Sequence, residues 1–221
     1  MQHAASRPGI YVWLRPTASV RQALDAHRRR WWWPQPNHQP AAHRLHLTLH
    51  ALGPLDDACI AQVSGALSQV RADCFDLELG WSGVWTGNGV AVACPRPAPA
   101  LMRLHGALRQ ALPGARPRQG WSPHVTLAWR ALEAGAALLD PLRWPVREFL
   151  LVRSWLPPHQ TRHEVLGCYA LMGPGAGPAP PCGGPAAPVA SPPDTPCHQP
   201  WLATPVRSAT LTPCLSSPIH A

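Results

Sequence analysis

Two short segments pair an imidazole with a hydroxyl two residues away, His46-Leu47-Thr48-Leu49 and His124-Val125-Thr126-Leu127. Side chains alternate across a β-strand, so within each segment His and Thr share one face and the aliphatic residues share the other. Imidazole titrates near pH 6.5, so it can give or take a proton at neutral pH. Two imidazoles facing one phosphorus atom divide the work: one removes a proton from the attacking water or hydroxyl, the other protonates the leaving oxygen. Thr48 and Thr126 can hold non-bridging phosphate oxygens as charge develops. A lone His-x-Thr is usually structural. Two copies, each backed by leucine or valine and each ending in Leu, point to a matched catalytic pair, His46 and His124. No metal is expected, because no carboxylate cluster accompanies the histidines, and no cofactor is expected.

The elements around these segments follow from patterning. Ile10–Leu14 is β-branched and aromatic and reads as a buried strand. Residues 17–30 read as a helix that Thr17 or Ser19 can cap, with Val20, Leu24 and His27 at helical spacing and a cationic last turn. Trp31 to Pro40 is a Pro-broken loop, and Leu45 to Leu52 is the first motif strand. Asp56 to Arg71 reads as a second helix and Asp76 to Leu79 as a strand. Val84-Trp85 and Val90 to Ala93 flank a Thr-Gly-Asn-Gly turn. Pro99 to Leu112 reads as a third helix, and Ser122 to Trp129 as the second motif strand. Strands are also expected at Glu148–Trp155 and Glu164–Met172. The motif recurs after 124 − 46 = 78 residues, each time after a helix and a loop, which suggests a duplicated lobe.

Composition limits the alternatives. The net charge is +8 and there is no Lys, so all 19 basic residues are Arg; guanidinium suits bidentate phosphate contacts, although a GC-rich genome would give the same bias. The seven cysteines form no C-x-x-C pair, which argues against a zinc knuckle or a disulfide framework. No apolar run reaches membrane-spanning length, and the protein is read as soluble, cytoplasmic and monomeric. From Gly173 onward Gly, Pro, Ala and Ser dominate. The chain therefore divides into a folded domain over 1–172 and a tail over 173–221 that is expected to be disordered.

The motif-bearing segments resemble the two-histidine (2H) phosphoesterase superfamily, specifically the RNA 2′,3′-cyclic phosphodiesterases also called 2′-5′ RNA ligases. Leu45 to Gly53 is similar to the first family motif and Pro123 to Ala128 to the second. The early strand, the Phe75–Leu79 strand, a Gly-x-Trp turn at 83–85, the helix before the second motif and the strand ending at Ser154 run in the family's order. The resemblance covers about residues 8–172. It implies a bilobal α+β fold with antiparallel sheets lining a central cleft and helices outside. It also implies metal-independent hydrolysis of RNA 2′,3′-cyclic phosphate ends to 2′-phosphates, together with reversible 2′-5′ joining. The implied partner is RNA or a nucleotide carrying a cyclic phosphate or a 2′-5′ linkage. His46 and His124 become the acid–base pair, with His46 assigned as acid, and Thr48 and Thr126 bind phosphate.

One departure is that Trp129 stands where the family often has Arg, with Arg130 next. Strict alternation sends Arg130 to the His124 and Thr126 face and Trp129 to the packing face. His50 shares the His46 face one repeat on. Arg28 to Arg30 with Trp31 to Trp33 reads either as a single-strand-binding surface or as a helix end with a hydrophobic loop anchor. His43 and Arg44 are expected at the cleft mouth or in solvent. Competing readings are a small-nucleotide cyclic phosphodiesterase, a non-catalytic RNA-binding protein and a Cys–His nucleophilic enzyme.

Overall fold

The computed structural model describes residues 8–112, 120–155 and 161–173. The tail expected from 173 onward therefore lies, past its first residue, outside the described residues.

The chain opens with strand β1 (Gly9–Leu14) and helix α1 (Ala18–Arg29). Thr17 caps α1 by accepting from the Val20 amide, and Val20 and Leu24 are buried on one face. A short 3₁₀ turn at Ala42–Arg44 leads into β2 (Leu47–Gly53), which carries the first motif. Helix α2 (Asp57–Ser68) is capped by Asp56, whose carboxylate accepts from the Cys59 amide at 2.7 Å. It ends three residues short of the sequence reading. Next come β3 (Phe75–Trp85), β4 (Val90–Pro95), helix α3 (Pro99–Ala111) and β5 (Val125–Ala128), which carries the second motif. Proline at the start of α3 costs no hydrogen bond, because the first helical N–H groups have no partner within the helix. Three strands complete the fold: β6 (Leu142–Val146), β7 (Glu148–Trp155) and β8 (Arg162–Ala170).

All eight strands lie in one curled antiparallel sheet of order β6-β3-β4-β5-β2-β1-β7-β8. The sheet is two four-stranded halves meeting at a thin seam, where β2 and β5 share the single register pair Leu47–Val125. Each half presents its motif strand at the seam. Each also repeats one plan: β1, α1 and β2 on one side, β4, α3 and β5 on the other, with the motif strand pairing antiparallel to the strand before the helix. This is the bilobal duplication expected from the 78-residue repeat. One face of the sheet is apolar and covered by the helices. Leu47, Leu49, Val125 and Leu127 sit in one core with Leu24, Leu67, Leu101, Leu104 and Leu108. The opposite face at the seam is left for His and Thr.

Two elements differ from the sequence reading. β3 is one continuous strand of 11 residues rather than two short ones. Gly80 and Gly83 disguise its middle, but both are places where long side chains lie across the backbone. A Cβ at Gly83 would meet the Trp81 ring at 2.5 Å, and one at Gly80 would meet Arg96 Nε at 2.6 Å. β6 falls where Arg143 and Pro145 give the sequence the look of a loop. It is one of the two edge strands, paired among the described residues with β3 alone, and an edge is where a sheet tolerates proline.

Candidate active site

The seam pair dictates the site. In an antiparallel ladder with Leu47 opposite Val125, the residues before and after exchange partners, so His46 lies opposite Thr126 and Thr48 opposite His124. Leu47 and Val125 are fully buried on the helix-covered side. The four polar side chains therefore project together on the other side, with the histidines on one diagonal and the threonines on the other. The pairing of two distant segments, each holding half of the chemistry, is what the two halves of the sheet accomplish.

Each imidazole is fixed in the same way. His46 Nδ1 donates to the Arg44 carbonyl at 2.6 Å, and His124 Nδ1 donates to the Ser122 carbonyl at 2.8 Å. A carbonyl only accepts, so Nδ1 carries the hydrogen and Nε2 is the nitrogen available for proton transfer. An aromatic ring supports each histidine. Trp13 stacks on His46 with centroids 3.6 Å apart, and Trp85 meets His124 edge-on at 4.5 Å. Trp121 Nε1 donates to the Thr48 carbonyl at 3.2 Å and ties the approach to the second motif onto the first motif strand.

Both histidines rest neutral. Burial, opposed by the hydrogen bond to the Arg44 carbonyl and aided slightly by the nearby His124, brings His46 down to about 4. Burial also lowers His124, again opposed by the carbonyl it donates to. A neutral Nε2 is ready to act as base, and the negative charge of a bound phosphate would raise the partner's affinity for a proton.

A cavity of about 180 Å³ opens on this face, lined by three of the four motif residues, His46, Thr48 and Thr126 but not His124, and by Tyr11, Trp13, His38, Pro40, Arg44, Trp129, Ser154, Thr161 and His163. Aromatic and imidazole rings and Arg44 surround the hydroxyls, and among the described residues no carboxylate lines it. Among the described residues no group of three or more His, Cys, Asp or Glu is placed to hold a metal ion.

Trp129 and Arg130 are reversed relative to strict alternation. The ladder between β4 and β5 runs Ala93–Val125, Val92–Thr126, then Ala91–Ala128, so β5 carries one extra residue. Such a bulge shifts every later side chain to the opposite face. Leu127 and Ala128 are consequently both buried, Trp129 turns into the cavity, and Arg130 falls outside its lining. Arg130 has φ +57°, left-handed backbone that ends the strand, and is exposed. His38, which does line the cavity, is lowered chiefly by burial, then by Arg44, with a smaller contribution from the charge of Arg130.

A family model described as the 2′-5′ RNA ligase superfamily matches residues 16–156. The chain belongs to this superfamily of 2H phosphoesterases. Solved structures agree in fold. E. coli LigT in its apo form superimposes with a TM-score of 0.67 at 26% identity, covering 76% of this chain and 99% of that one. E. coli LigT complexed with NADP+ gives 0.65, also at 26% identity, covering 76% of this chain and 99% of LigT. The Thermus thermophilus protein TT0787 gives 0.59 at 28% identity, covering 75% of this chain and 98% of its own. A comparison with curated protein sequences finds no significant match.

For a 2H phosphoesterase, the remaining candidates sort by position. His50 turns away from the quartet: its Nε2 donates to the His105 carbonyl at 3.1 Å and its ring stacks on His105, which stacks in turn on Trp121. The Arg and Trp runs serve mainly as an anchor. Arg28 is buried, donates to Asp25 at 2.9 Å and to the Pro40 carbonyl at 2.6 Å, while Trp31 and Trp33 stack at 4.9 Å. Only Trp32 of the three tryptophans is largely exposed, at 62%. The anchor matters to the site because the same loop returns at His38. There, paired backbone hydrogen bonds to Trp129 close one wall of the cavity. His43 is exposed just before the first motif, and Arg44 lines the cavity. Tyr11, Trp13, Ser154 and His163 were not singled out from the sequence. For Tyr11 and Trp13 the signal was available: Ile10, Val12 and Leu14 take the core face of β1, so the two aromatics must take the cleft face. No helix among the described residues is long and apolar enough to cross a membrane.

Proposed function

We propose that the folded domain, within residues 1–172, hydrolyses RNA 2′,3′-cyclic phosphate ends to 2′-phosphates without a metal, and can join RNA ends through a 2′-5′ linkage by the reverse chemistry. The observation that carries this reading is the diagonal placement of His46 and His124 about the Leu47–Val125 pair. In-line displacement at phosphorus needs the attacking and leaving oxygens on opposite sides. Base and acid at opposite corners of one quartet meet that need. His124 Nε2 takes a proton from water as its oxygen bonds to phosphorus. The bond from phosphorus to the 3′-oxygen breaks, and His46, which has taken a proton from solvent onto Nε2 beside the bound phosphodiester's charge, delivers that proton to the oxygen. Thr48 and Thr126, on the other diagonal, hold the non-bridging oxygens. On this reading the cyclic phosphate sits where His46, Thr48 and Thr126 line the wall of the cavity.

Incubation with an oligonucleotide bearing a 2′,3′-cyclic phosphate, with and without EDTA, tests the proposal. The expected product is the 2′-phosphate at an undiminished rate in EDTA. Recovery of the 3′-phosphate, or of unchanged substrate, would overturn the reading. Thr48→Val or Thr126→Val is expected to lower kcat by about 10- to 100-fold with little change in fold, since each removes one donor to the developing charge. A loss in KM alone would assign the threonines to ground-state binding instead.

A second reading keeps the chemistry and changes the substrate to a small nucleotide. It is favoured by E. coli LigT having been solved in complex with 3′-AMP and with ATP. A tight, salt-sensitive RNA complex that never yields product would instead favour a binding protein.

A further inference from the structure

The cavity contains basic groups that the two-histidine reaction leaves unused, and they gather beyond His46. His163 on β8 lies opposite Ser154 of β7 in the ladder, and its Nδ1 is 3.0 Å from Ser154 Oγ. Ser154 is itself almost fully buried, at 3% exposed. The His163 ring stands edge-on to Trp13 at 5.0 Å and to His46 at 6.1 Å. Arg44 Nη2 donates to the Thr161 carbonyl at 2.9 Å, which holds the start of β8 against the first motif. Arg44, His38, Ser154, Thr161 and His163 all line the cavity. Burial chiefly lowers the titration of His38 and His163; the field of Arg44 adds to it at His38 and, after that of His46, at His163. An imidazole buttressed by a buried hydroxyl, beside a guanidinium, in a cavity that no carboxylate lines among the described residues, is arranged for an anion.

We propose that His163, held by Ser154 and flanked by Arg44, is a third substrate-binding imidazole that receives the phosphate on the 5′ side of the cyclic end. This rests on the cyclic-phosphate reading above. A nucleotide whose cyclic phosphorus sits in the quartet has its next phosphate at the far end of the same ribose, on C5′. The second basic group lies just past His46, one ring away from the quartet. The enzyme would thereby select an internal RNA end, or a 5′-phosphorylated nucleotide, over a bare nucleoside cyclic phosphate.

The test compares adenosine 2′,3′-cyclic phosphate with its 5′-phosphorylated form in the full chain. The wild type is expected to favour the phosphorylated substrate about tenfold in kcat/KM, mostly through KM, as one charge-assisted contact would give. His163→Phe should collapse that ratio towards one, and His163→Gln, which keeps a donor, should restore part of it. Circular dichroism checks that each variant is folded, and the glutamine variant retains the test should phenylalanine disturb β8. An unchanged ratio in both variants, or no preference in the wild type while the bare substrate is still opened, overturns the role of His163 and leaves the cyclic-phosphate reading standing. Failure to open either substrate overturns both.

Discussion

Replacing His46 or His124 by Asn is expected to lower kcat on a 2′,3′-cyclic phosphate by about 10²- to 10⁴-fold, the contribution of one positioned acid or base. Asparagine is the informative substitution. Its amide can still donate to the carbonyl of Arg44 or Ser122, where each imidazole is now fixed, but it cannot carry the proton. The double variant should lose less than the product of the single losses, because acid and base act on one displacement and the first loss already disables the pair. His50→Ala provides the comparison from the same strand. Its ring faces His105 rather than the cavity, so its effect should stay within a few-fold. Product formation followed by chromatography, with circular dichroism as a fold check, measures all four. An Asn variant that turns over at the wild-type rate would remove that histidine from the mechanism.

A second large effect is expected from pH. Turnover from free enzyme requires one histidine protonated and the other neutral, whichever is the acid. Both are shifted to the acid side of the ordinary value, His46 to about 4 and His124 downward, chiefly by burial. Above the higher of the two, the singly protonated form shrinks about tenfold per pH unit. Between about pH 6.5 and 8.5, kcat/KM should therefore fall by about 100-fold. The cyclic phosphodiester keeps its single charge throughout, so substrate ionisation does not contribute. Once bound, that charge raises both histidines, and the falling limb of kcat should lie at higher pH than that of kcat/KM. Steady-state rates across this range decide the matter; a kcat/KM that is flat or rising would contradict neutral, desolvated histidines. The acid side is less suited to the measurement. The unfolded chain takes up protons near pH 6.5 whereas buried His46 does not until about 4, so stability is full above 6.5 and declines as pH falls through that window.

The grouping of the proposed quartet was legible because its signal is local. Alternation within Leu45 to His50 and within His124 to Leu127 assigns faces without knowledge of the fold, and duplication makes chance agreement improbable. The helices were legible for the same reason: Thr17, Asp56 and the prolines before Leu101 mark their starts within one turn of the observed ends. The misses share the opposite property. β6 carries Pro145 and exists because β3 supplies one partner at the sheet edge. The bulge opposite Ala91 and Val92, which sends Trp129 inward and Arg130 outward, is a mismatch between two strands and leaves no trace in either alone.

What the sequence by itself determined was which residues stand together: two histidines and two threonines, each pair on one face of a strand with core behind it, because side-chain alternation is a property of the single chain. The tertiary structure decided what surrounds them. The single pair Leu47–Val125 sets the histidines on a diagonal, Trp13 and Trp85 support their rings, and β7 with β8 brings Ser154 and His163 to the same cavity. His46 and His163 are far apart along the chain, and sheet order, unlike strand alternation, is settled only when every strand has chosen its neighbours.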